Sequence, residues 1–355
     1  MMHYVMTLLL FIIVFGIVVI SHEFGHFLIA RMNGIHVVEF MIGMGPKLIS
    51  WGKKDTIYSI RLLPIGGACM FEGEDGLNEK EGDAKDSPSA FPNANVWARI
   101  ATVFAGPFFN FILAMLVAVI MVPLIQVHDT TVSTVTEGGA AEEAGLQDGD
   151  KIIKLNGEKV YLFSELYTFA QMNKGNSVQM TYERNGERYE TVLTPKYSEE
   201  DGAYYFGLVS QNVVKVKGLD SFRYGWYEVR AGVKNTYKSL LMLISGKLGR
   251  KDVAGPVGMA HMVGEIYEET KEDWLDVFVN MLNLTMLISV SLGIMNILPF
   301  PALDGGRLVF LIVEVFRGKP VPPEKEGMVH FVGLVFFMIL MVVVMFNDIR
   351  NIVGM

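Results

Sequence analysis

Ser21-His22-Glu23-Phe24-Gly25-His26 sets two imidazoles four residues apart with a carboxylate beside the first. On a helix this spacing puts His22 and His26 on one face, where they can hold a zinc ion while Glu23 reaches a water at the metal. That is the chemistry of hydrolysis by an activated water. A catalytic zinc site takes three protein ligands and leaves one position open, so a third ligand is required. Asp304 is the candidate, in Asn296-Ile297-Leu298-Pro299-Phe300-Pro301-Ala302-Leu303-Asp304-Gly305-Gly306. Two prolines two residues apart must stop or unwind a helix, which predicts Asp304 on an irregular segment.

The elements that must position these residues are membrane helices. The run from Tyr4 to Ile20 is apolar on every face and continues past the histidines through Phe27, Leu28 and Ile29 to Arg31. About 20 such residues cross a bilayer's hydrocarbon core. Ionisable groups at that depth are costly unless they face protein or a metal, which marks His22, Glu23 and His26 as a functional site. A cleaved signal peptide is not expected, because no basic n-region precedes Tyr4 and Ala30 lacks a small-x-small cleavage pattern. Irregular backbone near Asp304 survives at membrane depth only when buried in protein or lining a wet cavity. Asp304 on one span would then share a metal with the histidine pair of another.

Four spans are predicted: residues 1–31 with the histidine motif, 99–125, 274–306 ending in the broken Asp304 segment, and 328–347. The second is entered through Trp97 and Arg99, residue types that suit the interface. It carries Gly106, Pro107 and Asn110. Gly106 suits close helix packing, and Asn110 needs a hydrogen-bond partner within the bundle. The fold class is thus a polytopic α-helical membrane protein. Its 51% apolar content agrees, as does a mean hydropathy of +0.35 over 355 residues that still include long polar stretches. The net charge of -8 argues against a nucleic-acid partner. The single cysteine, Cys69, excludes an internal disulfide and an all-cysteine metal site.

Between the spans, residues 32–98 read as a β hairpin and an acidic loop on the cytoplasmic side. Asp55 to Leu63 has the composition of a strand or hairpin and is closed by Pro64 and Gly66-Gly67. It is read as β structure at or dipping into the membrane surface, where an exposed edge could pair with an extended peptide or serve only as structure. The acidic stretch Glu72 to Asp86 reads as a solvated loop. Residues 126–197 read as a separate domain of alternating strands with an Asn156-Gly157 turn and an Asn185-Gly186 hairpin. Residues 198–273 are expected to be a linker containing an amphipathic helix near Tyr237 to Leu248, and 307–327 a cytoplasmic loop. Short basic loops stay cytoplasmic. Arg31, Lys47, Lys53 and Lys54 follow the first span, and Arg307, Arg317, Lys319 and Lys325 follow the third, whereas no Lys or Arg lies between Ile125 and Lys151. The metal site is therefore expected near the cytoplasmic face, residues 126–197 outside, and both termini on one side.

With His22-Glu23-Phe24-Gly25-His26, Gly106-Pro107 with Asn110, and Asn296 to Gly305 in hand, the chain resembles the bacterial site-2 proteases, intramembrane zinc metalloproteases, over almost its full length. Ala144-Gly145-Leu146 with Gly149-Asp150 and Asn156-Gly157 resembles a PDZ domain of the bacterial protease type. The family often carries two such domains, and this chain has room for one. The resemblance implies a multi-pass protein of the bacterial cytoplasmic membrane with zinc on His22, His26 and Asp304 and Glu23 as catalytic base. It implies that Asn296 contacts substrate or transition state, and that Ile57 to Gly67 aligns an unwound substrate. Implied partners are the lipid bilayer, single-pass substrates such as anti-sigma factors or signal-peptide remnants, and an upstream site-1-type protease acting on the same substrate. Two rivals are a membrane zinc transporter and a zinc-binding scaffold with a PDZ-type peptide-binding module. A transporter needs several metal-binding side chains along a path, and seven histidines in the whole chain meet that poorly.

Overall fold

Apolar sequence without a proline runs from the N-terminus to the histidine motif and beyond, and helix α1 (Met2–Met32) takes all of it. Its 31 residues rise about 45 Å, more than a hydrocarbon core of about 30 Å. The computed structural model describes residues 2–52, 55–73, 87–199, 202–247, 249 and 254–353. Most of the acidic stretch, residues 74–86, lies outside them, as do Lys53 and Lys54. Contacts divide the chain into one unit of Met1–Val117 with Gly232–Met355 and another of Ala118–Ala231.

In the first unit α1 is followed by strands β1 (Val37–Trp51) and β2 (Ile57–Phe71), an antiparallel pair of 15 residues each. The strand or hairpin expected at residues 55–63 covers only part of this. Gly43, Gly45 and Gly52 take left-handed φ within or at the end of β1, and the pairing shifts register there. Phe40 faces both Cys69 and Tyr58, and Ile42 both Gly67 and Ile60, so the first half of β1 is flanked twice by β2. Met44, Leu48, Ile49, Trp51, Leu62 and Leu63 are exposed. Glu39 is buried, is neutralised by Lys47 at 2.9 Å and Arg61 at 3.2 Å, and accepts a hydrogen bond from the Ser59 hydroxyl at 2.5 Å. Glu72, expected on a wet face, instead binds His36 at 3.1 Å and Ser89 at 2.8 Å. Helix α2 (Val96–Met121) continues through Pro107.

The second unit contains β3 (Val127–His128), β4 (Thr134–Val135), α3 (Ala140–Glu143), β5 (Lys151–Leu155), β6 (Glu158–Lys159), α4 (Phe163–Asn173), β7 (Val178–Arg184) and β8 (Glu187–Leu193). Strands β9 (Lys196–Ser198), β10 (Ala203–Tyr205), β11 (Leu208–Val209) and β12 (Val213–Val214) follow. A four-stranded sheet of order β6-β5-β7-β8 packs Ile152, Leu155, Val178 and Met180 against Leu166 and Ala170 of α4. The buried Asp150 carboxylate accepts from Arg184 Nε at 2.7 Å and Nη2 at 2.8 Å. The stretch from 198, expected as linker, begins with strands: β11 pairs with β4 and β12 with β3. They are two residues long, too short for their alternation to register in a sequence window. Helix α5 (Asp220–Ile244) starts well before the amphipathic stretch expected at Tyr237.

After α5 come α6 (Pro256–Thr270), α7 (Trp274–Ile297), α8 (Asp304–Arg317) and α9 (Pro323–Val353). The Asp348 carboxylate of α9 accepts from the backbone of Gly255 and Gly258 at the start of α6. Two expectations are corrected here. Asp304 does not lie on irregular backbone but opens α8, and residues 307–327 are largely that helix rather than a loop. Pro299 and Pro301 end α7 as expected, but only Leu298–Leu303 is non-helical. By length and composition α1, α2 extended to Leu124, α7 and α9 can each cross a membrane, which makes the protein polytopic.

Candidate metal centre

Within the first unit α1 sets His22 and His26 on one face, and their rings meet edge to face with Nε2 atoms 3.2 Å apart. The turn after α7 delivers Asp304, whose Oδ2 stands 3.1 Å from His22 Nε2 and 3.4 Å from His26 Nε2. Ligands about 2.0–2.1 Å from a tetrahedral zinc stand about 3.3 Å from each other, so the three separations suit one ion. Among the described residues no other cluster offers three metal-ligating side chains within such reach.

The partners of the two rings fix their tautomers. His26 Nδ1 lies 2.9 Å from the carbonyl of Thr102, an acceptor only, so Nδ1 carries the proton and the Nε2 lone pair faces the cluster. His22 Nδ1 faces the Asn110 side-chain amide at 3.3 Å, while Asn110 Oδ1 is buried and lacks a hydrogen bond. The two amide orientations have the same shape, and the one that turns Oδ1 toward His22 lets Nδ1–H donate and satisfies the oxygen. Two imidazole lone pairs and the carboxylate then converge, and Asp304 Oδ2 is itself buried without a hydrogen bond. Three electron-pair donors with no proton between them fit a cation, and nitrogen with carboxylate oxygen fits zinc.

Helix α2 forms the wall behind the site. A Cβ on Gly106 would stand 2.2 Å from His26 Nε2 and 2.8 Å from His22 Cε1. A Cβ on Gly25 would stand 2.4 Å from the Ala105 carbonyl, so α1 and α2 approach backbone to backbone at this level. The sequence reading took Gly106 and Asn110 for packing features and passed over Thr102. All three face the histidines at intervals of four, one stripe of a helix, and that spacing was the available signal. Ser289 of α7 donates to the Asn110 carbonyl at 2.8 Å and ties the third helix to this wall.

A cavity of about 490 Å³ opens beside the cluster. Its lining includes His22, Glu23, His26, Asn296 and Asp304, with Gly67 to Met70 of β2 and Arg307 of α8. The backbone N–H of Cys69 donates to the Glu23 carboxylate. A Cβ on Gly67 would come within 3.0 Å of Glu23 Cγ, so β2 approaches the carboxylate as closely as backbone can. Arg307, absent from the sequence-derived set, stacks over Phe91 with Cζ 5.4 Å from the ring centroid. Gly305 and Gly306 fold the start of α8 against the preceding turn: a Cβ on Gly305 would stand 2.1 Å from the Leu298 carbonyl.

Comparison with known proteins agrees with this geometry. The sequence profile of peptidase family M50 matches residues 10–340. The chain is 32% identical over 426 residues to "Regulator of sigma-W protease RasP" of Bacillus subtilis, covering 98% of this chain and 99% of that one. It is 32% identical over 421 residues to "Zinc metalloprotease RasP" of Geobacillus kaustophilus, covering 97% and 98%. With the protein of that name from Shouchella clausii it shares 33% over 423 residues, covering 97% and 99%. These alignments run longer than the 355 residues of this chain, so the relatives carry segments it lacks. Among solved structures, a PDZ domain of an SdrC-like protein from Listeria monocytogenes aligns with 24% of this chain and 87% of its own length. That likeness, at 17% identity and a TM-score of 0.21, carries no argument about the fold. A profile match over most of the chain, together with a His-His-Asp cluster on membrane-length helices, identifies the chain as a member of peptidase family M50, an intramembrane metalloendopeptidase.

Proposed function

We propose that the enzyme hydrolyses peptide bonds within or beside the membrane segments of single-pass proteins, with zinc held by His22, His26 and Asp304. The observation that carries this reading is the convergence of three electron-pair donors 3.1 to 3.4 Å apart beside a cavity lined by Glu23. Zinc, when bound, polarises the scissile carbonyl and acidifies water. Glu23 takes the proton of the attacking water and delivers it to the leaving amine. Asn296, on the last turn of α7, donates its side-chain amide to the developing oxyanion. A substrate helix has its backbone amides paired internally and must open before its carbonyl reaches the site. Strand β2, against which Glu23 is hydrogen-bonded, supports the view that an opened segment is received there as an added strand.

The positions of basic residues support a metal site near the cytoplasmic face of a bacterial membrane, with residues 126–197 outside. Residues 126–197 are proposed to act as a PDZ-like module toward substrates, on the strength of the Gly149-Asp150 and Asn156-Gly157 turns. The sigma-W regulator among the relatives supports membrane-anchored regulatory proteins, cut first by another protease, as the substrate class.

The test compares membrane proteomes of cells carrying the native enzyme and Glu23→Gln. The variant is expected to keep its zinc, to lose turnover by about 100- to 10,000-fold, and to accumulate truncated single-pass fragments. A variant that keeps both zinc and full turnover contradicts the assignment of Glu23.

A further inference from the structure

The loop that delivers Asp304 is held from the far side by α9. Ala302, two residues before Asp304, has φ +73, a left-handed conformation that a residue with a Cβ adopts only under constraint. Its backbone N–H donates to His330 Nδ1 at 3.0 Å. One turn along α9, Gly333 lets Pro301 in: a Cβ there would stand 2.4 Å from Pro301 Cβ and 2.6 Å from its carbonyl oxygen. A turn further, Phe336 and Phe337 pack on Phe300 at ring-centroid distances of 5.4 and 4.9 Å. Positions 330, 333 and 336–337 form one helical face, and they meet Ala302, Pro301 and Phe300 in antiparallel order. Pro299 and Pro301 lack backbone N–H groups, so the donors that can fix this loop are few. The N–H of Ala302 is the one whose acceptor is a side chain of another helix.

We propose that His330 is a positioning residue for the metal centre: by accepting from Ala302 N–H it holds the left-handed turn that aims Asp304 at the Nε2 atoms of His22 and His26. The inference rests on the reading of those three residues as zinc ligands. As an acceptor, Nδ1 must be unprotonated, so the ring is neutral and carries its proton on Nε2, which lies 3.9 Å from Glu326 Oε1. His330 touches neither metal nor substrate; it acts through the backbone of Ala302. Supporting interactions of this kind set metal affinity by about 10- to 100-fold.

The test measures zinc affinity of the full-length, detergent-solubilised chain by chelator competition, with the absorption spectrum of the cobalt-substituted protein as a report on ligand geometry. His330→Leu, which removes the acceptor, is expected to weaken zinc binding at least about ten-fold and to alter the cobalt bands. His330→Asn sets an amide oxygen near the place of Nδ1 and is expected to bind within about three-fold of the native chain. Ala302→Gly, which frees the turn of its Cβ, is expected to restore most of the affinity lost in His330→Leu. Equal affinities for the native, leucine and asparagine proteins overturn the proposal. So does an equal loss in both variants that Ala302→Gly leaves uncorrected, since His330 would then act through packing alone. If His330→Leu does not fold, the asparagine protein is compared with His330→Gln, whose amide reaches toward the place of Nε2. Native cobalt bands in the asparagine protein alone support the proposal, and any other pattern overturns it. Failure of the underlying ligand reading shows separately, as undiminished zinc in Asp304→Ala.

Discussion

Gly106 of α2 stands where any side chain would strike the His26 nitrogen proposed to bind zinc, since a Cβ there would stand 2.2 Å from Nε2. The neighbouring atom is the end of a ring fixed by the Thr102 carbonyl rather than a side chain free to swing away. Gly106→Ala is therefore expected to cut zinc occupancy and proteolysis by at least about 100-fold while the protein still inserts and folds. Metal content of the purified variant, read beside its yield and thermal unfolding, checks this. Native zinc content would mean that the α1–α2 packing is looser than described.

Asn110 orients the other histidine. With its amide oxygen toward His22 Nδ1, it fixes the tautomer that leaves Nε2 for the metal. Asn110→Leu is expected to weaken zinc binding by about 10- to 100-fold. Asn110→Asp, which keeps an acceptor, is expected to bind nearly as well as the native chain. Competition with a chromophoric chelator ranks the three proteins, and the order native, aspartate, leucine is the expected one.

Much of this is legible in the sequence, for physical reasons that differ between residues. His22, Glu23 and His26 announce themselves because ionisable groups in an unbroken apolar run have few purposes. Pro299 and Pro301 announce the break before Asp304 because neither can continue a helix. Helix α8 stayed hidden because Gly305-Gly306 reads as a loop; in the structure both glycines are helical, and their lack of Cβ lets the first turn of α8 press on the Leu298 and Phe300 carbonyls. Gly106 and Asn110 read as packing features in the sequence, since only the arrangement of α1 against α2 reveals that the stripe they share with Thr102 faces imidazoles. His330 gave no signal at all: its partner is a backbone N–H on a loop remote in sequence.

The Ala118–Ala231 unit carries its own pH dependence. Glu228, half-buried on α5, has its pKa pushed up to about 7 by burial and by the nearby Glu165 carboxylate. The folded state therefore binds a proton more tightly than the unfolded chain. The resulting stability is complete below pH 4.5, the ordinary value, and is lost as pH rises through about 7, a change on the order of 3 kcal/mol. Hydrogen exchange of this unit in the full chain at pH 5.5 and pH 8 should show faster opening at pH 8 after correction for intrinsic rates. Glu228→Gln should remove that difference, and a pH response unchanged in the variant would exclude Glu228 as its source.

The central claim is that His22, His26 and Asp304 share one zinc ion. X-ray absorption at the zinc edge of the purified Glu23→Gln protein tests it most directly. The account predicts one zinc per chain with a first shell of two imidazole nitrogens and carboxylate or water oxygen, all at about 2.0–2.2 Å, and loss of that signal in Asp304→Ala. A sulfur scatterer at about 2.3 Å, which in this cavity would be Cys69, or an unaltered spectrum in Asp304→Ala, would contradict it.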